Sequence, residues 1–188
     1  MKKMLRLAAA MVLLLGCAAC GAGGAKDTLE GTTQELLAQL KETAVADFGM
    51  GFDSEVTAET ALGTLGLTAA QFEGYVDTAY ESAAAISSIA QSNVLVKCQD
   101  AAAAAEVKKL IAEGYDSAKW ICVFPEQSVV VESGSYVLLA VGTRENTDAL
   151  VEALKTLSKD NIGSPDAFYS HDTSAGDIIG GGDVPIVF

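Results

Sequence analysis

Hydrophobic and polar positions recur with recognisable periods along most of this chain. From Thr32 to Ala46, Leu36, Leu37, Leu40 and Ala44 fall at the spacing of a helix with one buried face. Thr32-Thr33-Gln34-Glu35 in front of them fits a capping box, in which threonine oxygen and glutamate carboxylate satisfy orphan amides at the helix start. Residues 47–54, with Gly49 and Gly51, break the pattern. A shorter helix is expected over Val56–Thr64, ended by Gly63 and Gly66. Gly74–Tyr80 and Ser92–Gln99 have strand character, the second through Val94, Leu95 and Val96. Glu81–Ala90 between them is small and polar, so the two form an antiparallel hairpin. Its alanines leave a helical extension open as the alternative.

Asp100 stands where a helix cap is needed, before Ala101–Ala105, Glu106, Lys108 and Lys109, with Val107, Leu110 and Ile111 as the apolar stripe. From Gly114 to Phe124 two readings stand: the helix continues, or Trp120, Ile121, Val123 and Phe124 form a strand that Pro125 ends. Ser128–Val141 is the strongest element, two apolar runs around a two-residue Ser133-Gly134 link, where glycine tolerates positive φ. Neither run alternates. A sheet wet on one face would alternate, so these strands are expected to be covered on both faces, with helices on one side and the N-terminal segment or a partner on the other. Thr143–Ser158 is a helix carrying Ala149, Leu150, Ala153, Leu154 and Leu157. The predicted fold is α+β: an antiparallel sheet of about four strands with helices packed on it, in the order ααββαββα, over residues 32–160. The glycine-rich tail, 161–188, is expected to be loose, with Val184–Phe188 offering an edge strand.

The first residues follow the order of a lipoprotein signal peptide, assigned to 1–19. Lys2, Lys3 and Arg6 precede an apolar run, Leu7–Leu15, and then Gly16-Cys17-Ala18-Ala19-Cys20. The run is well short of the roughly 20 residues that span a bilayer. Leu14-Leu15-Gly16-Cys17 resembles the bacterial lipobox and makes Cys17 the favoured lipidation site. Cys20, preceded by Cys17-Ala18-Ala19, is the alternative. Residues 20–31 read as a flexible tether, since Gly21 to Gly24 offer nothing to pack. Two acyl chains, at about 0.8 kcal/mol per buried methylene, hold a protein that one would hold only weakly. The expected location is the extracytoplasmic face of the cell membrane, with a covalent lipid anchor as the membrane contact.

Charge narrows the partners. The chain has 12 basic and 25 acidic residues, and without Lys2, Lys3 and Arg6 the balance is 9 to 25, a net charge of −16. Such a surface is repelled by nucleic acid and by anionic headgroups. Cys98 and Cys122 are a candidate disulfide pair, which an exported location permits and which would stabilise by about 3–4 kcal/mol in the chain-entropy picture. His171, the one histidine, lies in the tail beside Asp172, and no nucleophile–base set can be built around it. Gly176–Gly182 lacks the lysine and the strand-to-helix setting of a phosphate loop. Asp47, Asp53 and Glu55 share a loop without calcium-loop spacing. No catalytic residue, metal ligand or cofactor site is assigned.

Three stretches carry a family resemblance: Leu67-Thr68-Ala69-Ala70-Gln71-Phe72-Glu73-Gly74-Tyr75, then Phe124-Pro125-Glu126-Gln127, then Glu132-Ser133-Gly134-Ser135-Tyr136-Val137-Leu138-Leu139. They resemble signatures of the DUF4358-type lipoproteins of Firmicutes, built on a domain of unknown function. Phe124 stands where that family usually has tyrosine, and Ser133 and Ser135 depart from its usual pair around the glycine. The resemblance covers roughly Leu36–Leu157. It implies a lipid-anchored α+β domain, favours a helix over Ala112–Phe124, and brings no catalytic residues. The expected role is a non-enzymatic binding or interaction module of the cell envelope, its partner an envelope protein or a small ligand. A carboxylate-dependent envelope hydrolase is the alternative.

Overall fold

A computed structural model of the chain describes residues 27–86, 89–120 and 123–170. Helix α1 spans Thr33–Thr43 and begins with the expected capping box: Glu35 N–H donates to Thr32 Oγ1, and the Glu35 carboxylate accepts from Thr32 N–H. The same reciprocal cap, Thr68 with Gln71, starts α3 (Ala69–Tyr75). Between them lies α2, only Ala61–Leu65, because Thr57 to Thr60 closes a side-chain-supported turn first. Asp100 caps α4 (Ala101–Gly114) and Thr143 caps α5 (Arg144–Leu157).

The strands are β1 (Gly51–Glu55), β2 (Val76–Ala84), β3 (Ser92–Cys98), β4 (Gln127–Ser133), β5 (Tyr136–Gly142) and β6 (Asp166–Ser170). They form one antiparallel sheet in the order β1-β2-β3-β5-β4-β6. Both expected hairpins are present, and the second sets β5 against β3 with Leu95 opposite Leu138. Every residue of β5 is buried.

The lack of alternation in β3, β4 and β5 has a direct cause. Val94, Val96, Val130, Val137 and Leu139 point to one side, against Ala104, Val107 and Ile111 of α4 and Leu65 and Phe72 of α2 and α3. Leu95, Val131, Leu138 and Ala140 point to the other, against Leu36, Leu37 and Leu40 of α1 and Leu150 and Leu154 of α5. Neither face is wet, so neither needs polar side chains. Helices cover both sides, not one side alone.

The fold class is as expected, but the element order is αβααββαββαβ rather than ααββαββα. Two strands account for most of the difference. β1 arises from the segment read as a break, and its five residues are all exposed, so no apolar alternation marks it. β6 comes from the segment read as loose tail and pairs with β4. The hairpin link is Gly134-Ser135, one residue later than expected, since Ser133 pairs with Tyr136 and Gly134 carries the positive φ of 59°. The helix favoured over Ala112–Phe124 is absent among the described residues, because α4 stops at Gly114 and Tyr115 turns inward. Gly114 lies against Gly66, which caps α2 at φ +74°, and a Cβ on either glycine would strike the other's backbone. Cys17, Cys20, Cys122, His171 and residues 176–188 lie outside the described residues. Cys98 is buried, and burial pushes its thiol up to about 12. No described helix is long and apolar enough to cross a membrane.

Candidate functional site

The link from α1 to β1 makes a wall over one corner of the sheet. Asp47 Oδ1 accepts from Gly49 N–H at 2.8 Å, a tight turn in which Gly49 takes φ +59°. Phe48 is thereby turned into the core under α1 and α5. Two buried amides hold the link down: Gln91 Nε2 donates to the Phe48 carbonyl at 2.9 Å, and Asn146 Nδ2 to the Asp47 carbonyl at 3.0 Å. β1 then runs back along β2 with Asp53 opposite Ser82. Between α1, this link and the two strands opens a cleft of about 380 Å³, lined among others by Leu37, Lys41, Phe48, Asp53, Tyr80 and Ser82. That volume is at the small end of the range for small-molecule sites.

The inner wall of the cleft is cationic and polar. Lys41 Nζ donates to Ser82 Oγ at 2.7 Å and stands 3.9 Å from Asp53 Oδ1, too far for a hydrogen bond. Ser82 is buried, whereas Glu42, Asp47 and Asp53 are exposed, so the acids form the rim. Behind Ser82 is its cross-strand partner Asn93. Strand alternation aims Asn93 to the same side as Leu95, the α1 side on which the cleft opens. Directly opposed residues have Cβ atoms about 5 Å apart. Asn93 is 1% exposed, and neither its amide oxygen nor its nitrogen has a hydrogen-bond partner among the described residues. An unpaired buried donor or acceptor costs about 1–3 kcal/mol. Gln91 and Asn146, by contrast, are satisfied by each other and by the backbone carbonyls of Phe48 and Asp47.

Other polar clusters have structural explanations. Lys108, on α4, reaches Glu132 Oε2 at 2.7 Å and Asp166 Oδ2 at 3.0 Å, and so fastens β6 and β4 to the helix. Lys119 donates to the Gly63 carbonyl at 2.8 Å and lies over the rings of Tyr115 and Trp120, with burial pushing its ammonium down. A second cleft, about 400 Å³, lies between α5 and β6, but its Asp148 already accepts from Gln127. Among the described residues no group of three or more His, Cys, Asp or Glu is placed to hold a metal ion.

Of the acids that share a loop in the sequence, Asp47 and Asp53 reach the cleft, while Glu55 lies on β1 outside it. Lys41, Ser82 and Asn93 escape a sequence reading. The available signal is Asn93, a polar residue inside an otherwise apolar buried strand. The motifs behind the family resemblance land elsewhere. Thr68 and Gln71 cap α3, Gln127 begins β4, and Gly134 turns the hairpin. The chain matches no family profile, no curated protein and no solved structure.

Proposed function

We propose that this protein is a lipid-anchored extracytoplasmic binding module of the cell envelope, with the cleft between α1 and β1–β2 as its ligand site. The observation that carries this reading is Asn93. A buried amide with no partner among the described residues stands opposite Ser82, the cleft-lining serine that receives Lys41. Such a group is retained at a cost in stability, which is expected where function needs it. The order of signal, tether and domain agrees with the likeness to DUF4358-type lipoproteins, and so supports the location.

The two ends of the sheet suit a tethered receptor. Asp27, where the tether meets the domain, accepts from Ser135 N–H and Oγ and from Lys97 Nζ, all at the β4–β5 hairpin end. The link over the cleft is tied to Gln91, at the opposite end of β3. Seven strand residues separate these ends by about 23 Å at roughly 3.3 Å per residue.

The cleft does hold acids, which the hydrolase alternative needs. Asp47 is engaged by Gly49 N–H, however, and Asp53 is half exposed beside the Lys41 ammonium. That is the setting of an ion pair. Binding is the better supported chemistry.

Two measurements test the reading. Palmitate labelling of Cys17→Ala and Cys20→Ala variants is expected to lose label in the first, and no label in the parent chain overturns the anchor. Thermal shift of the purified chain against pools of small polar solutes is expected to find a stabilising class, and the absence of any shift overturns the binding role.

A further inference from the structure

One side of the sheet ends in a strand left open to solvent among the described residues. β1 is the outermost strand, and all five of its residues are exposed. Just before it the Met50 carbonyl accepts from Ala85 N–H, and just after it Val56 N–H donates to the Ala79 carbonyl, so the even-numbered residues here bond inward to β2. Antiparallel alternation then turns the N–H and C=O groups of Gly51, Asp53 and Glu55 outward, away from the sheet. The opposite edge differs: β6 sets Phe168 edge-on against Tyr115 and is held by Lys108. Charged side chains are a common protection for a free edge, and Asp53 and Glu55 alone would be explained by it. The apolar exposure beside them is not. Phe52 is 70% exposed and Met50 83%. Alternation puts Asp53 and Glu55 on the α1 side, where Lys41 lies, and Phe52 with Met50 on the other. Opposite those two, β2 offers only Ala83 and Ala85, too small to cover them. Glu55 takes part in no ion pair among the described residues.

We infer that β1 is a docking edge for an extended segment of another protein, one that alternates basic with apolar residues and adds to the sheet as a further strand. Its backbone takes up the outward groups of Gly51, Asp53 and Glu55, which supplies affinity, while its alternate side chains supply specificity. Directly opposed residues on one face have Cβ atoms about 5 Å apart, so basic side chains meet Asp53 and Glu55 while apolar ones cover Phe52. A second copy of the chain is a poor occupant. The fullest two-fold register would set Asp53 of one copy against Asp53 of the other, in a chain with 25 acidic residues to 12 basic. Phe52 and Glu55 do not line the cleft, and an extended polypeptide is a different class of ligand from a small solute. This edge therefore goes beyond the cleft reading, and either can fail without the other.

The test is fluorescence anisotropy of a labelled, capped heptapeptide of alternating lysine and valine, titrated with the full chain in a non-ionic detergent. It is expected to bind at least tenfold more tightly than the same peptide with glutamate in place of lysine. Only every second amide of an added strand faces β1, so N-methylation of one alternate set should abolish binding and methylation of the other should leave it. Phe52→Ser and Glu55→Lys are each expected to weaken binding at least fivefold with unchanged circular dichroism. No binding, or equal binding of the glutamate peptide, overturns the inference. Equal effects of the two methylation patterns also overturn it, because charge attraction without strand pairing would give that result. Unchanged affinity in both variants moves the peptide off this edge. A dimer of the chain that Phe52→Ser dissociates, measured by sedimentation equilibrium, gives the edge to a second copy and overturns the inference as well.

Discussion

Replacing Asn93 by leucine is expected to make this protein more stable, which is unusual for a polar-to-apolar change at a site residue. Asn93 is 1% exposed on β3, with both polar atoms of its amide unpartnered among the described residues. Leucine has the same branching and the same number of heavy atoms, with bulkier ends. Its neighbours on that face would be Leu95, two residues along, and Ala140 across the β5 pairing, both in the apolar cluster under α1 and α5. The substitution removes an unsatisfied amide, at about 1–3 kcal/mol, and adds apolar burial without opening a cavity. Some overpacking offsets this, leaving a net gain of about 2 kcal/mol. For a chain of this size that is about 4–8 °C in Tm, or about 1 M in urea midpoint at an m-value near 2 kcal/mol/M. Urea unfolding followed by circular dichroism, with the slope unchanged, measures it. A midpoint that stays put or falls refutes the reasoning, because it would mean the amide is satisfied in solution by groups that leucine cannot engage.

Three further substitutions read other parts of the fold. Lys108→Met strands the Glu132 carboxylate beside α4 and frees β6, for an expected loss of about 3 kcal/mol and of hydrogen-exchange protection across Asp166–Ser170. Burial acts to lower the Lys108 pKa, but the bonds to Glu132 and Asp166 outweigh it and raise the value above that of an ordinary lysine. The stability it contributes is therefore complete below the unfolded lysine pKa and is lost as pH rises through the higher folded value. A Lys108→Met variant should accordingly lack that alkaline loss in pH-dependent unfolding. At the tether, burial acts to raise the Asp27 pKa, while the bonds from Lys97 and Ser135 bring it below that of an ordinary aspartate. Its contribution is present above the unfolded carboxyl pKa and lost as pH falls through the folded one. Limited proteolysis should thus cut near Leu29 faster in acid, and Asp27→Asn should remove that difference. Gly66→Ala forces a side chain into positive φ, at about 1–2 kcal/mol, and onto the Gly114 backbone, at about 1–3 more. A fall in thermal stability of about 3 kcal/mol is expected, and a neutral result would deny the close approach of α2 to α4.

Much of the architecture was legible in the chain because it is decided locally. Thr32 with Glu35 and Asp100 before its alanines announce helices through hydrogen bonds that span three residues. The unbroken apolar runs around Gly134 announce both a hairpin and its double covering, since no wet face could tolerate them. What escaped was decided by contacts between distant residues. β1 has no apolar alternation, and only the pairing of its backbone with β2 makes it a strand. β6 owes its place to β4 and to a lysine more than fifty residues away. α4 ends where Gly66 leaves no room for anything but Gly114's bare backbone, a limit that no helix propensity encodes.

The same division holds for the candidate site and the signals around it. The basic start, apolar run and cysteines at the N-terminus, and the acidic balance of the rest, are properties of sequence alone and carry the expectations of location and of no nucleic-acid partner. Asn93 was visible as a polar residue in an apolar strand, but its lack of a partner was not. Ser82, Lys41 and Asn93 come from a strand, a helix and a second strand, and their convergence depends on the β2–β3 register and on α1 packing over it. Local sequence chose the elements, whereas tertiary packing decided which polar groups line the cleft and which buried amide is left without a partner among the described residues.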